Sequence, residues 1–276
     1  MYFAAGQNLI FIQLLRIQKW TKVLYNQKNV VFSKKSIEWK ENKMKQIIAL
    51  GGGGFSMEPH NPLLDTYILQ QSKKANPKIC FVPTASGDSE NYISRFYSFF
   101  DSHPCIPSHL SLFSPPTRDL ESFILDKDII YVGGGNTKNL LALWKEWSLD
   151  RIFKAAWHEG ILLTGISAGS ICWFEEGITD SYGGGNLEPI NCLGFLPGSN
   201  CPHYDGEINR KPAYHDLVQA KKLSSGLAVD DGVAVHFIDQ EVHKIVSSKP
   251  NGKAYRVSLD EGIKEQELSV EYLGSM

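Results

Sequence analysis

A serine stands between two glycines in Gly165-Ile166-Ser167-Ala168-Gly169, which has the spacing G-x-S-x-G. The apolar residues 160–164 before it are typical of a buried strand, and a helical pattern follows it. Flanking glycines let the chain turn sharply from strand to helix, and such a turn exposes the serine hydroxyl beside the N–H groups of a helix N-terminus. The stretch predicts Ser167 as a nucleophile, although a tight loop with a capping serine has the same pattern.

A second glycine run, Gly133-Gly134-Gly135, follows the strand pattern of residues 128–132 and precedes Asn136. If that strand lies beside the Ser167 strand, the N–H groups of Gly135 and Ala168 form a two-donor oxyanion hole. Asn136 is predicted to cap the next helix and to contact the substrate. Neither this run nor residues 51–54 has the spacing of a dinucleotide or phosphate loop, so nucleotide binding is disfavoured against a purely steric role for the glycines.

A serine nucleophile requires a base, and the base requires an orienting carboxylate. Among the eight histidines, His203 differs because it follows a proline, which fixes the backbone, in Asn200-Cys201-Pro202-His203-Tyr204-Asp205. Asp180 opens the same segment and is the candidate acid. A histidine in such a loop more often has a structural role than a catalytic one, and Asp180 can instead be a turn-initiating residue.

These motifs in this order resemble the peptidase E family of serine peptidases, which includes aspartyl dipeptidase and cyanophycinase. The resemblance covers the chain from Met44 to about Leu259, and its matching pieces are Gly133-Gly134-Gly135-Asn136-Thr137, Gly165-Ile166-Ser167-Ala168-Gly169, Ile178-Thr179-Asp180, Leu193-Gly194-Phe195-Leu196-Pro197 and Pro202-His203-Tyr204. It implies Ser167 as nucleophile, His203 as general base and Asp180 as orienting acid. Because some relatives use glutamate, Glu188 is the alternative acid.

The resemblance also implies a fold and a substrate. The fold would be an α/β sandwich related to class I glutamine amidotransferases, with serine in place of their cysteine. Aspartyl dipeptidase binds an N-terminal aspartate through a cation, and Arg210 falls within about one residue of that family's arginine. Arg210 would then bind the acidic side chain of a substrate, unless it is a solvated surface residue.

The alternation of strand and helix patterns predicts a mostly parallel sheet flanked by helices on both faces. A small antiparallel part is expected at the C-terminus, and residues 180–205 are expected to form one long functional loop. The predicted strands are residues 47–50, 78–83, 109–113, 128–132, 160–164, 233–237, 241–247 and 255–259, and the predicted helices are residues 61–74, 89–100, 137–147, 149–159 and 212–223.

The composition excludes several classes of protein. The chain has 276 residues, a net charge of −2 and five scattered cysteines. Nothing in this charge indicates nucleic acid or an anionic membrane as a partner, and the cysteines are typical of reduced thiols in a cytoplasmic protein. Residues 1–43 differ in composition from the rest. We expect them to be an extension outside the domain, which would span residues 44–276.

The sequence therefore predicts a serine-type peptidase that hydrolyses short peptides through an acyl-enzyme, without a metal or organic cofactor. An esterase or other acyl hydrolase with the same nucleophile is one alternative. A non-catalytic protein that binds a small ligand on the same fold is another. The oligomeric state, monomer or homodimer, is left open.

Overall fold

The computed structural model describes residues 43–275, so the predicted extension, except for Lys43, lies outside the described residues. Two sheets and eight α-helices organise this part of the chain. The strands are β1 Gln46–Leu50, β2 Lys78–Val82, β3 Ile106–His109, β4 Ile129–Val132, β5 Leu162–Ile166, β6 Phe174–Thr179, β7 Glu188–Asn191, β8 Leu196–Cys201, β9 Gly226–Val229, β10 Val233–Ile238, β11 Glu241–Ser247, β12 Ala254–Leu259, β13 Ile263–Glu267 and β14 Glu271–Tyr272.

The helices cover both faces of the first sheet. They are α1 Gly54–Met57, α2 Leu63–Gln71, α3 Glu90–Phe100, α4 Leu120–Leu125, α5 Thr137–Glu146, α6 Leu149–His158, α7 Ala168–Ile171 and α8 Arg210–Gln219. Apolar residues of α2 and α3 pack on one face, and those of α4, α5 and α6 pack on the other. None of the helices in residues 43–275 is long and apolar enough to cross a bilayer.

The first sheet has the strand order β14-β11-β10-β1-β5-β4-β2-β3. Strands β1, β5, β4, β2 and β3 are parallel, whereas β10 pairs antiparallel with both β1 and β11. Strand β5 lies between β1 and β4, and all five of its residues are buried. Such a strand, covered on both faces, requires a continuous apolar run. The predicted mixed α/β architecture is confirmed.

The second sheet is an addition that the sequence patterns did not predict. Its order is β13-β12-β9-β8-β6-β7, with parallel pairing only of β8 with β6 and with β9. Its inner face packs on the α4–α6 side of the first sheet, and α8 packs on its outer face. The antiparallel part is therefore larger than expected and includes strands from the middle of the chain.

The predicted long loop over residues 180–205 is wrong, because β7 and β8 lie within it. Strand β8 has the sequence LPGSNC, and strand β7 has the sequence EPIN; both are poor in the β-branched and aromatic residues that identify strands. Strand β7 lies at the edge of its sheet, where a proline is tolerated. The structure of this region is determined by pairing between strands that are separated in the sequence, and local composition does not reveal such pairing.

Candidate active site

Ser167 lies at the sharp turn between β5 and α7, as the sequence predicted. Its backbone has φ 56° and ψ −116°, a conformation that costs about 1–3 kcal/mol for a residue with a side chain. A Cβ atom on Gly165 would lie 2.3 Å from the Gly169 carbonyl oxygen, and one on Gly169 would lie 2.3 Å from that of Val132. Both glycines are required sterically, because the turn brings three backbone segments into contact.

His203 follows β8 and forms a hydrogen bond with a carboxylate that the sequence analysis missed. Its Nδ1 lies 2.6 Å from Oδ1 of Asp231, which follows β9, and the two side chains are only 13% and 15% exposed. The Asp231 N–H donates to Oδ1 of Asp205 at 2.8 Å, which fixes the backbone that carries the carboxylate. Strands β8 and β9 are parallel neighbours, so both residues follow the carboxyl ends of adjacent strands in the second sheet.

The glycine run of residues 51–54 follows β1 and brings this histidine–carboxylate pair to the carboxyl end of β1 in the first sheet. The His203 N–H donates to the Gly51 carbonyl at 3.1 Å, and the Gly232 N–H donates to the Gly52 carbonyl at 3.0 Å. A Cβ atom on Gly52 would lie 1.9 Å from Oδ1 of Asp231 and 3.1 Å from Nδ1 of His203. Only glycine leaves room for the pair at this position.

Ser167 and His203 are brought together by the pairing of β1 with β5. The last residues in register are Leu50 and Ile166, so the next residues along the two strands are Gly51 and Ser167. Gly51 accepts the backbone hydrogen bond from His203. The carboxyl ends of parallel strands are where open α/β sheets bind ligands, and Ser167, His203 and Asp231 all lie at such ends.

The two acids selected from the sequence lie elsewhere. Asp180 is exposed directly after β6, and its carbonyl accepts the N–H of Gly183 in a turn. Glu188 is exposed at the start of β7. Among residues 43–275, no hydrogen bond joins either carboxylate to His203, whose Nδ1 is occupied by Asp231. The sequence did carry one sign of Asp231, namely an acidic pair directly after the apolar end of β9.

The second glycine run lies beside the serine, because β4 pairs with β5. A Cβ atom on Gly134 would lie 3.2 Å from the Cβ of Ser167, and the Gly134 N–H donates to the Tyr92 hydroxyl at 3.3 Å. Gly135 has φ 136° and lies against the Ala85 carbonyl, so a side chain is excluded there. Within the described chain, neither the Gly135 N–H nor the Ala168 N–H donates a hydrogen bond, so both are available for an oxyanion.

Asn136 caps α5, as predicted. Its Oδ1 accepts the Asn139 N–H at 2.8 Å, and its Nδ2 donates to the Ser181 carbonyl at 3.0 Å. Ser181 in turn accepts the Thr137 N–H through its hydroxyl at 2.8 Å. Both polar ends of the Asn136 side chain are therefore used to join α5 to the segment after β6. Beyond Ser181, residues 182–186 are exposed.

Arg210 does not stand at the mouth of the site, contrary to what the resemblance suggested. It is the first residue of α8 and only 3% exposed. Its Nε and Nη2 donate to Oε2 of Glu207 at 2.8 and 2.7 Å, and its Nη1 donates to the Ile178 carbonyl at 3.4 Å. A buried guanidinium whose charge is already paired has little capacity to attract an acidic substrate.

A buried acid lies next to the glycine run of residues 51–54. Asp65 of α2 is fully buried, and neither of its carboxyl oxygens nor the Tyr131 hydroxyl has a hydrogen-bond partner in the described chain. A Cβ atom on Gly54 would lie 2.8 Å from the Tyr131 hydroxyl and 3.1 Å from Oδ1 of Asp65. Burial raises the pKa of Asp65 to about 7, although the nearby Phe55 N–H and Tyr131 hydroxyl lower it.

Comparisons with known proteins identify the family to which this chain belongs. The family model described as peptidase family S51 matches residues 47–245. A Bacillus subtilis (strain 168) protein named "Uncharacterized peptidase YgaJ" is 62% identical over 232 residues, which cover 84% of this chain and 100% of that protein. A solved peptidase from an acI-B1 Actinobacterium, at 16% identity, has a TM-score of 0.64 and covers 83% of this chain and 96% of its own, a likeness of fold alone. The chain belongs to peptidase family S51, the peptidase E family, and is a serine peptidase.

Proposed function

We propose that this enzyme hydrolyses short peptides through an acyl-enzyme on Ser167, with His203 as general base and Asp231 as orienting acid. The contact that carries this assignment is the 2.6 Å hydrogen bond between Nδ1 of His203 and Asp231. It holds the proton on Nδ1 and leaves Nε2 free to accept the proton of the serine hydroxyl. The family's serine-peptidase chemistry and the position of Gly51 opposite Ser167 support the same roles.

The reaction follows from these positions. Nε2 of His203 takes the hydroxyl proton as Oγ of Ser167 bonds to the carbonyl carbon of the peptide. The resulting oxyanion accepts hydrogen bonds from the N–H groups of Gly135 and Ala168. The imidazolium then returns the proton to the amine as the C–N bond breaks. Water, deprotonated by the same imidazole, hydrolyses the acyl-enzyme and restores the serine.

Asp231 replaces Asp180 and Glu188 as the acid in this proposal, because neither of those carboxylates contacts the imidazole. A preference for N-terminal aspartate gains no support from Arg210, whose charge is paired with Glu207. A substrate contact for Asn136 gains no support either, since its side chain caps α5 and its N–H donates to the Ala85 carbonyl at 2.7 Å.

The relationship to class I glutamine amidotransferases also belongs to this proposal. It is supported by a nucleophile between β5 and α7 and by the parallel order β1-β5-β4-β2-β3. A cytoplasmic location is supported by the five cysteines, none of which forms a disulfide. A short peptide is the proposed partner of the site.

The decisive experiment compares wild type with Ser167→Ala on a panel of dipeptides and tripeptides. We expect the variant to lose turnover by at least about 10⁴-fold while unfolding at the same temperature, because only one hydroxyl is removed. Ser122→Ala, on the exposed side of α4, is the matched control and should retain full activity. A fluorophosphonate probe should label wild type and the control but not Ser167→Ala.

Three results would overturn the proposal. Equal activity of Ser167→Ala and wild type would exclude the nucleophile. Turnover of short-chain nitrophenyl esters by wild type, without cleavage of any peptide in the panel, would identify an esterase. Failure of the probe to label folded wild-type protein would instead favour a binding protein on this fold.

A further inference from the structure

Arg95 is an exposed cation on α3 with two anchoring contacts. Its Nη1 donates to the Ser56 carbonyl at 3.0 Å, and its guanidinium carbon lies 4.9 Å from the centre of the Tyr92 ring. Neither anchor carries a negative charge. Within residues 43–275 the Arg95 guanidinium forms no ion pair with a carboxylate, in contrast to Arg210, which is buried and paired.

Both anchors belong to segments that border the candidate active site. Ser56 lies in α1, whose first residue, Gly54, ends the glycine run of residues 51–54, and Gly51 of that run accepts the His203 N–H. The hydroxyl of Tyr92 accepts the N–H of Gly134, and Gly134 packs against the Cβ of Ser167. The Tyr92 side chain therefore extends from the glycine beside the nucleophile to the guanidinium of Arg95.

The anchors also fix the orientation of the guanidinium. A carbonyl that accepts one N–H and an aromatic ring beneath the planar group reduce the conformations that a long arginine side chain would otherwise sample. Four of its five N–H donors remain for a ligand, and they are arranged in the fork that matches a carboxylate. An ordered, unpaired cation at the rim of a site is suited to bind an anionic part of the substrate.

We propose that Arg95 binds the C-terminal carboxylate of the short peptide substrate. This inference rests on the peptidase function proposed above and adds a subsite to it. Every short peptide carries a terminal carboxylate, whatever its side chains, and the carboxylate lies within a few residues of the scissile bond. A cation at a fixed position relative to Ser167 would therefore select substrates by the distance from the scissile bond to the chain end.

The test compares peptide acids with peptide amides, for example Ala-Leu with Ala-Leu-amide. Wild type should hydrolyse the acid with a kcat/KM about 10²-fold higher, the effect of a bidentate charge-assisted hydrogen bond. Arg95→Gln should lose this preference by slowing the acid and leaving the amide unchanged. Arg95→Lys should restore it only in part, because an ammonium lacks the planar fork.

Arg151→Gln is the matched control, because Arg151 is also exposed and also bonded to a neutral serine oxygen, Oγ of Ser148 at 2.7 Å. It should behave as wild type with both substrates. A second measurement does not need turnover: Ser167→Ala protein should bind the peptide acid more tightly than the amide, and the double variant with Arg95→Gln should bind both equally.

Several outcomes would overturn the inference. Equal hydrolysis of acid and amide by wild type would exclude a carboxylate subsite while the peptidase function stands. A parallel loss of both substrates in Arg95→Gln would show that Arg95 only stabilises α3. A preference for Asp-Leu-amide over Ala-Leu-amide that disappears in Arg95→Gln would identify an acidic side chain as its ligand instead. If wild type cleaved no peptide, and the Ser167→Ala protein also bound acid and amide equally, both proposals would fail.

Discussion

The nucleophile and its histidine–carboxylate pair come from two sheets with different sequence signatures. Ser167 follows β5 in the buried parallel part of the first sheet, and its turn is encoded by five consecutive residues. His203 and Asp231 follow β8 and β9 of the second sheet, and they are 28 residues apart in the sequence. The first arrangement depends on local sterics, whereas the second depends on which strands pair. Variants in the two regions should accordingly lose activity for different structural reasons.

The largest expected effect separates the acids. Asp231→Asn should lower kcat by about 10⁴-fold, because the imidazole then loses the partner that fixes its tautomer. Asp180→Asn and Glu188→Gln are matched controls and should change kcat by less than about threefold, since both side chains are exposed and away from His203. Steady-state kinetics on one dipeptide would measure all three, and a larger loss in Asp180→Asn than in Asp231→Asn would restore the assignment made from the sequence.

Gly52→Ala tests the contact between the two sheets. The added methyl group would overlap Oδ1 of Asp231 and displace the pair from the serine, and a shift of about 1 Å can cost about 10²-fold in kcat. Gly262→Ala is a control at a glycine without a positive φ, where a Cβ atom meets no other atom within 4 Å. Activity and thermal unfolding should be measured together. Wild-type kcat in Gly52→Ala would mean that the pair does not need this close approach.

Arg210→Met should affect stability rather than specificity. It leaves the Ile178 carbonyl without its donor and releases Glu207 to solvent, for a loss of about 1–3 kcal/mol in the free energy of unfolding. The ratio of kcat/KM for Asp-Leu to that for Ala-Leu should not change. Denaturant unfolding and the two dipeptide assays would measure this. A selective loss of Asp-Leu hydrolysis would return Arg210 to the substrate site.

The smallest effect per step of the experiment concerns the pH dependence of stability, which accumulates over several pH units. Because burial raises the pKa of Asp65 from 3.8 to about 7, the folded protein binds a proton that the unfolded chain has released between these values. Stability should therefore fall as the pH rises from about 4 to about 7, by up to ~1.4 kcal/mol per pH unit from this group. Asp65→Asn should remove that contribution, and unfolding curves across this range would show whether the slopes of the two proteins differ.

The sequence predicted the parts of the site that depend on short stretches. The turn at Ser167 and the cap at Asn136 are local, so residue types and spacing identified both. The acid was different, because Asp180 and Asp231 lie at similar separations from His203 in the sequence, and only the parallel pairing of β8 and β9 brings Asp231 to the imidazole. Strand β8, with its proline, glycine and asparagine, had no strand signature, so the second sheet and its consequences could not be derived from composition.

The segment between β6 and β7 has a practical use that follows from its lack of contacts. A Cβ atom on either Gly183 or Gly185 would meet no atom within 4 Å, and the neighbouring residues 182–186 are exposed. Exposed loop tips with small residues are preferred sites for insertions and for domain fusion. An epitope or a reporter domain inserted between these two glycines would leave the hydrogen bonds of Ser181 and the whole of α5 in place. The insertion would give this peptidase a defined attachment site on its surface.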